Sequence, residues 1–274
     1  MSQFFLTFGQ PILVCLTMLG ILGYLGLHVL KREVIFIDIS LAQISAVGAI
    51  MAHIVFHVHD DSLQSYISAF ILVLITALFY SFARRKIHQI SLETVIGVSY
   101  VIAAAAALFI VGVAPGGHVH IQNMLSGSLL WTTWKDILLC FIIFSGVGIC
   151  FYIFRDPFKR ISENYNDAYK KGMKVVLWDF LFYALLGIVI TVSVRIGGIV
   201  VIFAFLIIPA TISALFSNSW KKRLFIAWGV GIGAVIMGFL FAQQLDFSVG
   251  PSVSLFLGLE LIFAGVFSLL SKRT

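Results

Sequence analysis

Nine stretches of nearly uninterrupted apolar sequence, at about 9–30, 34–57, 64–83, 95–113, 137–154, 175–194, 197–217, 224–243 and 252–271, follow one another with polar punctuation between them. Most reach the roughly 18–20 residues that an α-helix needs to cross the hydrocarbon of a bilayer, and they are too long and too evenly apolar for the strands of about ten alternating residues in a membrane barrel. With 61% hydrophobic and 11% charged residues among 274, and a mean hydropathy of +1.07, the chain carries more apolar surface than a water-soluble domain can bury. The expected fold class is all-α: a polytopic transmembrane helical bundle of about nine spans in a single domain, 1–274. Between 175 and 217 only "VRIGG" divides two runs, so eight spans with a re-entrant piece is the alternative count.

Charge orients such a bundle. If the N-terminus lies outside and the C-terminus inside, sixteen of the eighteen basic residues fall on the cytoplasmic face: Lys31, Arg32, Arg84, Arg85, Lys86, Arg155, Lys159, Arg160, Lys170, Lys171, Lys174, Lys221, Lys222, Arg223, Lys272 and Arg273. Lys135 and Arg195 alone fall opposite. This asymmetry follows the positive-inside rule, so the basic character of the chain reflects topology and not nucleic acid. The first apolar run lacks a basic n-region and continues into "KRE" without a small-residue cleavage site, so it is expected to be a retained helix. Cys15, Cys140 and Cys150 lie inside apolar runs, where they resemble small hydrophobes and not an extracellular disulfide framework.

The longest polar stretch, Arg155 to Lys174, is cytoplasmic by the same charge count and has helix-forming character between Pro157 and Gly172. Twenty residues here interrupt otherwise short loops, which suits a docking surface for a cytoplasmic partner better than a simple connector. The chain has neither a G-x-x-x-x-G-K-[ST] phosphate loop nor an H-E-x-x-H helix, so nucleotide hydrolysis and zinc-protease chemistry lack their usual residues. "LSGS" at 125–128 has no base placed at the same depth, and its small residues suit close packing.

Polar groups inside apolar runs are the stronger clue, because burying them in lipid is costly and they tend to face a cavity or one another. Asp38 enters the second run early, followed by Ser40, Gln43 and Ser45, a polar strip expected to face a pore. Glu93 is either a second buried acid or an interfacial acid favoured at a helix N-terminus. Glu260 lies inside the ninth run without an evident partner. At the far end of the second run stand His53, His57 and His59 with Asp60 and Asp61, and His118 and His120 fall in the next loop on that face. These five of the seven histidines are either metal ligands, His53 and His57 being spaced i, i+4, or ordinary interfacial polar residues. A straight helix separates Asp38 from His53 by roughly 22 Å, so the histidines suit an entry site and not the site in the pore.

Five stretches carry a resemblance: "KREVIFIDISLAQISAVGA", "IQNMLSGSLLWTTWKDILL", "ENYNDAYKKGM", "VRIGGIVVIFAFLIIPATISALF" and "LDFSVGPSVSLFLG". In this order and spacing the chain resembles the membrane permeases of metal-ion ABC importers, the zinc, manganese and iron uptake systems, over nearly its whole length. The resemblance implies a homodimeric permease in a bacterial cytoplasmic membrane that accepts a divalent cation from an extracytoplasmic metal-binding lipoprotein. A separate cytoplasmic ATP-binding cassette ATPase would supply the energy, so the chain itself is expected to be a transport subunit, not an enzyme, with a transported metal ion and no permanent cofactor. The resemblance also places Glu163, Asp167, Ala168 and Gly172 in the segment that couples to the ATPase, and Pro209 beside the translocation path. Relatives carry an aspartate and a histidine four residues apart in the second span. Here Asp38 is kept, Ala42 takes the histidine position and Gln43 follows, which argues against assuming zinc and leaves the metal open. The alternatives are a permease for a metal chelate, a stand-alone ion-coupled transporter, and a membrane metalloenzyme with histidine boxes, of which "HIVFH" fits one.

Overall fold

Without water in the hydrocarbon, a spanning chain must satisfy its backbone N–H and C=O groups internally, and an α-helix does so within one segment. The computed structural model describes residues 2–57, 62–87, 89–113, 127 and 129–271. Among them the helices are α1 (Ser2–Arg32), α2 (Ile37–Phe56), α3 (Leu63–Lys86), α4 (Leu92–Val113), α5 (Trp134–Ile153), α6 (Arg155–Glu163), α7 (Tyr165–Lys170), α8 (Val175–Gly197), α9 (Ile199–Phe216), α10 (Trp220–Leu245) and α11 (Val249–Ser271). Nine of these described helices, all except α6 and α7, are long and apolar enough to cross a membrane. The "VRIGG" ambiguity resolves in favour of two spans, because Gly198, at φ 76°, breaks the helix between α8 and α9.

The chain forms two compact units. One comprises Met1–Lys31, Leu125–Cys150 and Arg195–Thr274, and in it α9, α10 and α11 contact one another. Small residues set its helix approaches. A Cβ on Gly26 would run into the Leu206 carbonyl of α9, one on Gly238 would meet the Val253 backbone of α11, and one on Gly231 would meet the Leu19 side chain. The Trp228 indole N–H donates to the Gly20 carbonyl at 3.1 Å, tying α10 to α1. Gly127, the described residue of "LSGS", lies at φ 66° against the Gly197–Gly198 backbone, so its smallness serves a close approach to the break before α9.

The other unit comprises Arg32–Met124 and Phe151–Val194. Here α2 contacts both α3 and α4, with Gly48 against the Ser68–Ala69 backbone of α3 and Gly187 of α8 against Val73. The expected helical stretch after Pro157 divides in two. Asn164, whose Oδ1 accepts from the Asp167 N–H at 3.0 Å, ends α6 and caps α7. Phe158 of α6 is fully buried among Phe151, Trp178 and Phe182, while Ile161, Ala168 and Val175 form a small core with Tyr165 and Met173. Large apolar side chains such as Ile102 and Phe109 of α4 remain exposed, as suits faces that lipid tails cover.

Candidate functional site

After α1 the chain passes Glu33, a left-handed residue at φ 56°, and turns through the Ile37 N–H to Val34 carbonyl bond into α2. Asp38 therefore lies in the first helical turn, nearer the helix end than its place in the apolar run implies. Its carboxylate lies beside the first-turn N–H groups of Asp38 and Ile39, a position the helix macrodipole favours. The residue is only 2% exposed, and its Oδ1 has no hydrogen-bond partner. At about 100° per residue, Ala42 and Ser45 stand on the face of Asp38, whereas Ser40 and Gln43 stand roughly 140–200° round the helix. The expected single strip is thus two. Ser40 shares a 2.7 Å hydrogen bond with the Tyr80 hydroxyl of α3, and Gln43 is buried on that second side.

Glu93 occupies the first turn of α4, and its Oε1 accepts from the Phe36 N–H at 2.9 Å. It is the helix N-terminal acid of the second expectation, half-buried and not a fully buried acid, and its carboxylate is close enough to act electrostatically on Asp38. Its Oε2 is buried without a hydrogen-bond partner, like Oδ1 of Asp38. Neither acid forms an ion pair with a basic side chain among the described residues. Two neighbouring carboxylates with unused oxygens repel each other until a cation or proton relieves them. Among the described residues no three His, Cys, Asp or Glu side chains converge on one point. The pair therefore suits passage of a cation that keeps other oxygen ligands better than it suits a closed metal centre.

The remaining expected residues are dispersed. His53 is half-buried in the last turn of α2, and His57 follows the helix end in a left-handed conformation at φ 51°, so the two are not successive turns of one regular helix. His59, His118 and His120 lie outside the described residues. Pro209 is buried inside α9, within the stretch where Gly26 of α1 approaches the Leu206 carbonyl. Glu163 ends α6, 3.8 Å from Lys159, and Asp167 of α7 receives the Lys171 ammonium at 2.7 Å. Ala168 is buried in the small core around Ile161, and Gly172, at φ 78°, makes the turn from α7 toward α8. Glu260 of α11 faces Gly233 of α10, and its Oε2 is buried without a partner.

A cluster the sequence reading passed over occupies the ends of α1, α3 and α8. Asp179 is fully buried in the apolar run of α8, and its Oδ1 accepts from Arg32 Nη1 at 2.5 Å and from Arg84 Nη1 at 3.2 Å. Arg32 Nε donates to the Ser162 hydroxyl of α6 at 2.9 Å, and its guanidinium lies 3.9 Å over the Phe182 ring. Arg84 lies 4.4 Å over Tyr165 of α7, while Arg85 lies 4.1 Å over Tyr169 and donates to its hydroxyl at 2.8 Å. Burial, with the Asp179 carboxylate nearby, pushes the Tyr165 phenol up to about 12, so it stays neutral beneath Arg84. The signal was present: one acid in "VLWDFLFYALL" requires a buried cation, and arginines end two of the other apolar runs.

The chain is similar in sequence and fold to known membrane transport proteins. The chain is 24% identical over 85% of its length, and 87% of the other chain, to the high-affinity zinc uptake system membrane protein ZnuB of Buchnera aphidicola. It is 23% identical over 90% of its length, and 87% of the other, to the manganese import system permease protein ScaB of Streptococcus gordonii. PsaBC from Streptococcus pneumoniae, solved in complex with Fab, shares the fold at a TM-score of 0.78 and 20% identity, over 96% of this chain and 94% of that one. The model of the ABC 3 transport family matches residues 6–268, nearly the full span from α1 to α11, and the chain belongs to that family.

Proposed function

We propose that this chain is the permease subunit of an ATP-driven importer that carries a divalent metal ion across a bacterial cytoplasmic membrane, working as a homodimer. The observation that carries the proposal is the Asp38–Glu93 pair, a buried and a half-buried carboxylate, each with one shielded, unused oxygen, at the starts of α2 and α4. In a bundle of this family such a pair is a low-barrier resting point for a cation. With Ala42 in place of an imidazole on the Asp38 face, the carboxylate oxygens favour a hard ion such as manganese over zinc. The names of the relatives support metal transport, and they divide between zinc and manganese.

With the N-terminus outside, the basic ends of α1 and α3 and the α6–α7 segment meet the cytoplasm. We assign α6–α7, with Glu163, Asp167, Ala168 and Gly172, to contact with a separate ATP-binding cassette ATPase, and the opposite face, with its histidines, to metal delivered by an extracytoplasmic lipoprotein. Pro209 lies in a span assigned to the translocation path, and the importer binds its metal only in transit.

The test is uptake of manganese and zinc by the complex reconstituted in vesicles with its ATPase and binding protein. Asp38→Ala abolishes uptake while the assembled complex is retained; normal accumulation by that variant removes Asp38 from the path. Transport only of a chelated metal would replace the free-ion reading with the chelate one, and transport by the chain alone would replace it with an ion-coupled carrier.

A further inference from the structure

Asp179 is held unevenly. Both Arg32 and Arg84 sit on its Oδ1, while its Oδ2 is buried without a hydrogen-bond partner, as is Nη2 of Arg32. A buried cluster that served only to hold helices together would use all of its donors and acceptors, because each unused one costs free energy. Moving Arg32 to Oδ2 with Arg84 left on Oδ1 would keep the number of ion pairs. Two discrete packings of one element are what coupling between distant sites requires.

The cluster also has two mechanical ends. Toward α6 and α7 it is attached by the Arg32 Nε to Ser162 bond and by the stack of Arg84 on Tyr165. Toward the carboxylate pair it is attached through the backbone. Arg32 is followed by the four residues Glu33 to Phe36, of which Glu33 is left-handed and Val34 fully buried. Phe36 then donates its N–H to Glu93, and Asp38 lies two residues further on. Ser162 is thus connected to Asp38 by one side-chain contact and six residues of chain, and to Glu93 by that contact, four residues and the Phe36 N–H bond.

We propose that Arg32, Asp179 and Ser162 are positioning residues forming a two-state link between α6–α7 and the Asp38–Glu93 pair. Displacement of α6 draws Arg32 from Oδ1 toward Oδ2, and the short connection moves the start of α2 relative to Glu93. The separation of the two carboxylates, and hence their hold on a cation, changes with the state of the cytoplasmic helices. By reciprocity, a cation between the carboxylates biases the position of α6. The proposal rests on the assignment of α6–α7 to the ATPase.

The decisive variant is Arg32→Lys in the complete reconstituted complex. A lysine keeps the charge beside Asp179 but offers a single ammonium, which cannot hold Asp179 and Ser162 in the fork geometry of arginine. Ser162→Ala removes the same attachment without touching the ion pairs, and it decides the matter if Arg32→Lys fails to assemble. The expected result is that ATP hydrolysis continues while manganese moved per ATP falls at least tenfold in Arg32→Lys and to a smaller extent in Ser162→Ala. Added manganese should also cease to alter the hydrolysis rate. Unchanged metal moved per ATP, or a proportional fall in hydrolysis and transport together, overturns the link and leaves the importer assignment standing. Failure of the unsubstituted chain to bind an ATPase overturns the importer assignment itself and the link with it.

Discussion

Both compact units bring helices together at glycines, but only one of them adds a buried ion-pair cluster among the described residues. In the first, helices approach through glycine: Gly26 against a carbonyl of α9, Gly238 against the α11 backbone, Gly127 against the Gly197–Gly198 break. In the second, buried charge does much of the joining, with Asp179 between two arginines and Glu93 holding the turn before α2. Close backbone contact has one geometry and no alternative, whereas a shared carboxylate can exchange partners. The unit that carries Asp38 also holds Glu93, Asp179 and Arg32 with unspent donors and acceptors, whereas Glu260 is the acid so placed in the other.

The difference breaks most visibly at Asp179. Asp179→Ala strands Arg32 and Arg84 without their common anion, and removing one partner of a buried pair costs about 3–5 kcal/mol. A large fall in the melting temperature of the detergent-solubilised protein is expected, and a melting point within error of the parent would show the cluster to be hydrated. In the other unit Gly26→Ala is the matching test. The obstacle there is a main-chain carbonyl that cannot rotate away, so a loss of about 1–3 kcal/mol follows from overpacking. Gly265→Ala, with nothing within 4 Å of its new Cβ, is the control and should leave the melting point unchanged or raise it slightly through helix propensity. Equal effects at Gly26 and Gly265 would remove the claim that glycines set the helix approaches of this unit.

Glu93→Gln sharpens the comparison within the charged unit. Glutamine keeps an oxygen to accept from Phe36 N–H but removes the second negative charge, so fold and function separate. Uptake at limiting manganese is expected to fall about tenfold, a change of about 1.4 kcal/mol, with the melting point preserved. Full uptake by this variant would leave Asp38 to act alone.

Much of the fold was legible because lipid imposes length and apolarity on every span, and the expected nine runs correspond to nine long apolar helices among the described residues. Helix termini were less legible. Asp38 reads as a residue within an apolar run, but Val34 is buried in a connection before the helix, so the apolar run begins ahead of α2 itself. The site was half legible for the same reason: lone acids in apolar sequence announce themselves, but their partners are set by tertiary contact. No periodicity links Arg32 and Arg84 to Asp179, which stand 147 and 95 residues away in the chain. The split of the polar strip follows from helical geometry, since five residues separate Asp38 from Gln43 and carry it to another face.

The smallest effect is expected where the charged unit meets the other side of the membrane. His53 is half-buried at the end of α2 and His57 is exposed beyond it, far along the helix from Asp38 and without a third metal-ligating side chain beside them among the described residues. Ligands so placed can raise the local concentration of a cation without determining whether it passes. Joint replacement of His53, His57, His59, His118 and His120 is therefore expected to raise the metal concentration for half-maximal uptake a few-fold and to leave maximal uptake and metal moved per ATP unchanged. A fall in maximal uptake would move the histidines from entry into the path itself, and would make the outer end of α2 as consequential as its first turn. An unchanged uptake curve would return them to the ordinary polar residues of a membrane interface.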